Sequence, residues 1–306
     1  MKKYLSAVTA MLLLCLVPVC GADDGRRWAV VNTSLCYLRA EPDYESALES
    51  QCLMGTVVEI TGSERYWRRV DVPDYKDVWT NELVLAEMDE EQLERYEEAP
   101  KWICVAQHSV LYSLPDDSSA RVSDFILGDV VCKGDGAAVS EDGVLWVEAV
   151  TAAGRRAWVR EADVADLESW RMSVRADGES LLRTAESMLG TPYLWGGCSV
   201  YGFDCSGLVK LVYMMNGIVL PRNAREQINC GVSVPYDLGS MRPGDLIFYG
   251  SKSPDGSVRS VTHVSMYIGD GRIIHSSQLV RINSIVPGGE DYYGRTDVVG
   301  VRRILR

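Results

Sequence analysis

Three residues carry most of the chemical suggestion in this chain: Cys205, His263 and His275. Cys205 stands in Tyr201-Gly-Phe-Asp-Cys-Ser-Gly-Leu-Val-Lys-Leu-Val-Tyr-Met-Met-Asn-Gly217, where a loop gives way to an apolar helical run. A structural thiol belongs inside an apolar stripe. One at the stripe's entrance meets unpaired backbone N–H groups and the positive end of a helix dipole, and both favour a thiolate. Such a sulfur can attack an amide carbonyl if a base takes its proton and later returns it to the leaving amine. Of only three histidines, His263 and His275 flank one pair of alternating apolar runs joined by Gly269-Asp270-Gly271, a strong hairpin signal. Because the hairpin returns on itself, both imidazoles can share one end of a sheet, one as base and the other orienting it. The third, His108, reads as a surface or satisfied core residue.

The elements that must position this trio follow from pattern. Helical spacing covers Glu179 to Leu189 before Gly190, and a second helix runs from near Cys205 to Gly217. Strands follow at His263–Ile268 and Arg272–His275, so residues 169–306 read as an α+β domain, helices first and then an antiparallel sheet. Upstream, two segments share an order of features, one from Trp28 to Val84 and one from Trp102 to Val164. Each has an apolar opening strand, an acidic turn with proline, a Gly-led strand (MGTVVEI, LGDVVCK) and two Trp strands. Short β-rich runs between turn residues predict two small barrels, over 23–85 and 101–168. The stretch between them, 86–100, is dense in acid and reads as a solvated helix or linker ended by Pro100.

Composition narrows the function. At 306 residues, with 47% hydrophobic and 24% charged residues, the chain can fill several packed cores. A net charge of −12 excludes a nucleic-acid partner, which needs a basic surface. Lys2-Lys3 and the apolar run Tyr4–Val19 form a secretory signal within 1–22, too short to be a transmembrane segment. The protein is therefore expected to be exported, to the periplasm or cell envelope. Leu16-Val-Pro-Val-Cys20 resembles a lipoprotein box, with a lipid anchor at Cys20, and cleavage after Ala22 is the competing reading. Of nine cysteines, Cys36, Cys52, Cys104 and Cys132 lie in apolar runs and read as free core thiols. Nothing in the spacing of Cys and His suggests zinc or another metal, and no cofactor is called for.

Several motifs together resemble the NlpC-type papain-like cysteine peptidases, a family that cuts peptidoglycan peptides. They are Thr191-Pro-Tyr-Leu-Trp-Gly-Gly197, Phe203-Asp-Cys-Ser-Gly-Leu208, Leu220-Pro-Arg222, Arg242-Pro-Gly-Asp-Leu-Ile-Phe248, His263-Val and His275-Ser276. The repeated upstream units resemble bacterial SH3-like domains. By the first resemblance Cys205 is the nucleophile, His263 the base and His275 the orienting residue, while Tyr193 helps stabilise the oxyanion. Trp195 is read as core packing. Two SH3-like domains ahead of such a domain resemble the γ-D-glutamyl-L-diamino acid endopeptidases, or dipeptidyl-peptidase VI. That subgroup cuts muropeptides with a free N-terminal L-Ala after γ-D-Glu. Asp204 and Ser206 match its amine-binding pair, and Tyr75 matches a tyrosine supplied by the first SH3-like domain. Where the subgroup has a first-domain glutamate this chain has Ala47, with Glu45 and Glu49 nearby. Two alternatives stay open: a DL-endopeptidase acting on intact peptidoglycan, and a non-catalytic wall-binding protein.

Overall fold

In the computed structural model residues 27–305 are described, so the expected signal segment 1–22 and Cys20 lie outside the described residues. The first unit has seven strands: β1 (Arg27–Val31), β2 (Leu35–Arg39), β3 (Leu48–Leu53), β4 (Val57–Glu64), β5 (Trp67–Val72), β6 (Tyr75–Asn81) and β7 (Leu85–Met88). Their order in the sheet is β3-β2-β6-β5-β4-β1-β7. Alternate residues from these strands, among them Ala29, Cys36, Leu38, Val58, Val70 and Val78, meet in one buried cluster, so the sheet curls around its own core.

Helix α1 (Glu90–Glu98) starts at Asp89, whose carboxylate accepts from the Gln92 N–H in a capping box. The acidic stretch 86–100 does hold a helix that ends before Pro100, but it is not solvated on every side. Its first residues are β7, and Leu93 and Tyr96, three apart on one helix face, are buried against Val30. Two apolar residues at that spacing suffice to dock an otherwise acidic helix.

The second unit repeats the pattern with β8 (Lys101–Cys104), β9 (His108–Tyr112), β10 (Arg121–Ile126), β11 (Val130–Val139), β12 (Leu145–Val150), β13 (Arg156–Arg160) and β14 (Val164–Asp166). Helices α2 (Leu167–Ser173) and α3 (Gly178–Glu186) follow, and α3 is capped by Asp177. It ends three residues earlier than its apolar spacing predicted, and Ser187 to Gly190 form turns.

The last domain carries β15 (Cys198–Ser199), β16 (Gly202–Phe203), α4 (Cys205–Met214) and α5 (Ala224–Gln227). Its sheet comprises β17 (Val232–Ser233), β18 (Leu246–Lys252), β19 (Val258–Gly269), β20 (Arg272–Ser277), β21 (Leu279–Ser284) and β22 (Val298–Arg303), in the order β17-β22-β18-β19-β20-β21. Every pairing in it is antiparallel. Between β19 and β20, Asp270 and Gly271 both have positive φ, 50° and 68°, the signature of a type I′ turn. One face of the sheet, with Phe248, Val264, Met266, Ile274 and Val280, buries the apolar side of α4. The other face carries His263, His275 and a smaller cluster around Tyr249, Tyr267 and Ile273.

Candidate active site

Helix α4 begins at Cys205 because Asp204 caps it: the Asp204 carboxylate accepts from the Gly207 N–H at 2.7 Å. A side chain at residue 207 would sit 2.0 Å from the Gly197 carbonyl, so only glycine lets this helix end approach the preceding loop. The backbone N–H groups of Ser206, in the same helix, and Val264, on β19, lie near the sulfur of Cys205 and favour its ionised form. Val264 follows His263, so the strand that supplies one imidazole also passes near the thiol.

The two imidazoles meet. His263 Nε2 lies 2.8 Å from His275 Nδ1, and His275 Nε2 lies 3.0 Å from Asn283 Oδ1. Asn283 sits on β21 and donates from Nδ2 to the Asp291 carbonyl at 2.6 Å, which turns its oxygen toward His275. That oxygen can only accept, so His275 donates from Nε2 and in its neutral form accepts at Nδ1. His263 must then donate from Nε2. Its Nδ1 is left as a lone pair, the form a general base needs. The sequence reading did not find Asn283. The one signal for it was the strand period, which puts residues 281 and 283 on the same face of β21.

Protonation differs from the expectation of a thiolate at rest. Burial pushes the Cys205 thiol up to about 11, with the Asp204 carboxylate adding to the effect. Burial also pulls His263 down to about 3 and His275 to about 4, with nearby positive charge, Arg281 and Arg295 included, acting the same way on His275. The resting cleft thus holds a neutral thiol beside neutral imidazoles. Desolvation outweighs the helix dipole here, so the thiol stays protonated at neutral pH.

Asp204 and Ser206 are brought together, but around a residue to which the sequence reading gave no role. Arg222, with 1% of its surface exposed, grips both Asp204 oxygens at 3.0 and 2.6 Å and donates to Ser206 Oγ at 3.1 Å. Its Nε donates to Ser50 Oγ, on β3 of the first barrel, at 2.9 Å. The neighbouring residue Gln51 accepts from the Cys198 N–H at 2.9 Å. Tyr75 reaches the same region from the first barrel, its hydroxyl donating to Asn223 Oδ1 at 3.0 Å. Beside it Asp74 pairs with Lys210 of α4, whose burial pulls its ammonium down to about 8.

Tyr193 is partly exposed near Cys205, and burial, with the Asp204 carboxylate acting the same way, raises its phenol to about 12, so it remains a donor. Trp195 is corrected: it is 71% exposed, on the loop that passes Leu48 of the first barrel, and packs no core. His108 is exposed on β9 and lies 5.5 Å from the Tyr201 ring. The cysteines from 36 to 230 are free thiols, and no group of His, Cys, Asp and Glu able to hold a metal occurs among the described residues.

A family model described as the NlpC/P60 family matches residues 190–301. A gamma-D-glutamyl-L-lysine dipeptidyl-peptidase of Bacillus cereus is 31% identical over 264 residues, spanning 84% of this chain and 75% of that relative. Dipeptidyl-peptidase 6 of Lysinibacillus sphaericus is 26% identical, over 84% of this chain and 91% of its own length. The crystal structure of an NlpC/P60 family protein from Bacillus cereus matches with a TM-score of 0.73 at 25% identity, covering 91% of this chain and all of that one. Similarity that extends through the paired barrels as well as the thiol-bearing domain makes this chain a member of the NlpC/P60 family of cysteine peptidases.

Proposed function

We propose that the protein hydrolyses the bond between γ-D-Glu and the diamino acid of peptidoglycan-derived peptides, outside the cytoplasm, with Cys205 as nucleophile. The observation that carries this reading is the ordered chain Asn283–His275–His263, which ends on the strand whose next residue, Val264, lies beside the Cys205 thiol. As the peptide carbonyl arrives, His263 Nδ1 takes the thiol proton and the sulfur bonds to the carbonyl carbon. The oxygen that gains negative charge is met by the Cys205 backbone N–H and the Tyr193 hydroxyl. His263 then returns the proton to the leaving amine, and water resolves the thioester by the same route. Asp204, Ser206 and Tyr75 line the end of the cleft that would take the substrate's free amino group. The names of the relatives, which specify γ-D-glutamyl-L-lysine peptides, support this substrate class.

One observation favours a second reading, cleavage of intact wall peptides. Asp204 is already neutralised by Arg222, and the partner of Tyr75 is the uncharged amide of Asn223. An ammonium buried there would lack a dedicated counter-charge. Mass spectrometry of digests of L-Ala-γ-D-Glu-L-Lys and its N-acetylated form separates the two. The first reading expects cleavage of the free peptide, at least about 100-fold slower cleavage of the acetylated one, and none by Cys205→Ala. Equal rates on both peptides transfer the case to the intact-wall reading.

A further inference from the structure

Arg281 has no assigned task. It stands on β21, the edge strand of the catalytic sheet, in direct register with His275. Directly opposed residues share a face, so Arg281 lies on the side that carries His275 and Asn283. On its other flank the 190–193 loop runs along the same strand. The Gly190 N–H donates to the Val280 carbonyl at 2.9 Å, and the Tyr193 N–H to the Gln278 carbonyl at 2.9 Å. Arg281 is therefore bracketed by the histidine that orients the base and by the loop that carries Tyr193.

Among the described residues three arginines, Arg69, Arg281 and Arg302, have a buried Nε without a hydrogen-bond partner, and of these only Arg281 stands in register with His275. The arginines nearest in sequence, Arg272 and Arg295, each hold an aspartate, Asp291 and Asp297. Arg281 makes no such ion pair among the described residues. A guanidinium that has lost water from one nitrogen and gained no acceptor is costly, and a planar fork with free donors matches a carboxylate bidentately.

We infer that Arg281 binds a substrate carboxylate next to the scissile bond. This rests on the peptidase reading above and deepens it. The chemistry supplies two such groups. A γ-linked D-Glu keeps its α-carboxylate free on the acyl side, and the diamino acid carries its own α-carboxylate on the leaving side. Arg281 is thus a specificity residue. It would favour γ-linked, anionic peptides over ordinary α-linked ones.

The test pairs substrate and enzyme changes. Three peptides are compared: L-Ala-γ-D-Glu-L-Lys, its D-isoglutamine analogue (α-amide on the acyl side), and its C-terminal lysinamide analogue. The wild-type enzyme should lose about 10-fold or more in kcat/KM on one of the two amides, which identifies the carboxylate held. In Arg281→Gln the acid peptide should slow to match, and the penalty for that amide should shrink to about 2-fold, while the penalty for the other amide stays put. Arg281→Lys should restore part of the preference, which also covers the case of a Gln variant that folds poorly. Acid-to-amide ratios that are unchanged in both variants overturn the inference. A wild-type enzyme that cuts none of the three peptides refutes the free-peptide reading of the function instead.

Discussion

The two barrels follow one strand order, β3-β2-β6-β5-β4-β1-β7 in the first and β10-β9-β13-β12-β11-β8-β14 in the second, yet they meet the rest of the chain through different surfaces. The first enters the cleft. Ser50 and Gln51 bond to Arg222 and Cys198, and the turn between β5 and β6 delivers Asp74 and Tyr75. The turn between β12 and β13 of the second barrel instead docks on its sister, where the Ala153 N–H donates to Asn32 Oδ1 at 3.0 Å. Asp129 completes that grip. Fully buried, its carboxylate accepts from Met54 of the first barrel and Ile126 of its own, at 2.9 and 2.8 Å. The second barrel also lends Ile126 and Leu127 to the main core of the catalytic domain. A duplicated scaffold has therefore divided its work by what its turns present: one copy shapes the cleft and the other braces the first.

That division can be broken by substitution. Arg222→Met should have the largest effect, because it leaves Asp204 and Ser50 without their buried cation. A loss of about 3–5 kcal/mol in urea unfolding is expected, together with loss of hydrolysis. Retention of full activity would show that the first barrel's joint is not part of the catalytic apparatus. Asp129→Ala strands two buried N–H donors and should cost about 2–4 kcal/mol by the same assay. Below its lowered melting temperature the variant should keep its kcat/KM, and a large fall there would give the second barrel a share in the cleft. The smallest effect is expected from Tyr75→Phe, which loses its hydrogen bond to Asn223 and should cost about 1 kcal/mol in urea unfolding, with a rise of about 5-fold in KM for free-amine peptides if the hydroxyl also meets the substrate. Arg156→Ala, at the matching start of β13, should leave KM unchanged.

Legibility in the sequence followed the range of the interactions. Cys205, His263 and His275 could be picked out because their signals are local: a helix entrance, a two-residue turn and a scarcity of histidine. The barrels were legible for the same reason, as repeated strand and turn patterns. Arg222, Asn223, Asn283 and Arg281 were not, since each gains its place only when segments distant in the chain come together. Trp195 was misjudged because an apolar type normally argues for burial, and here the loop carries it along the rim. The ionisation state was misjudged because the helix dipole can be read from sequence while the burial that opposes it cannot.

The adjoining pair Ser50 and Gln51 also has a bearing on modularity. Two consecutive residues of one barrel strand fasten, respectively, the arginine that holds the aspartate capping the Cys205 helix and the loop that leads to it. An exchange of this whole domain would therefore disturb the surroundings of Cys205 unless the incoming unit matched at this seam. Replacing the first barrel alone would remove partners of both Arg222 and the Cys198 backbone.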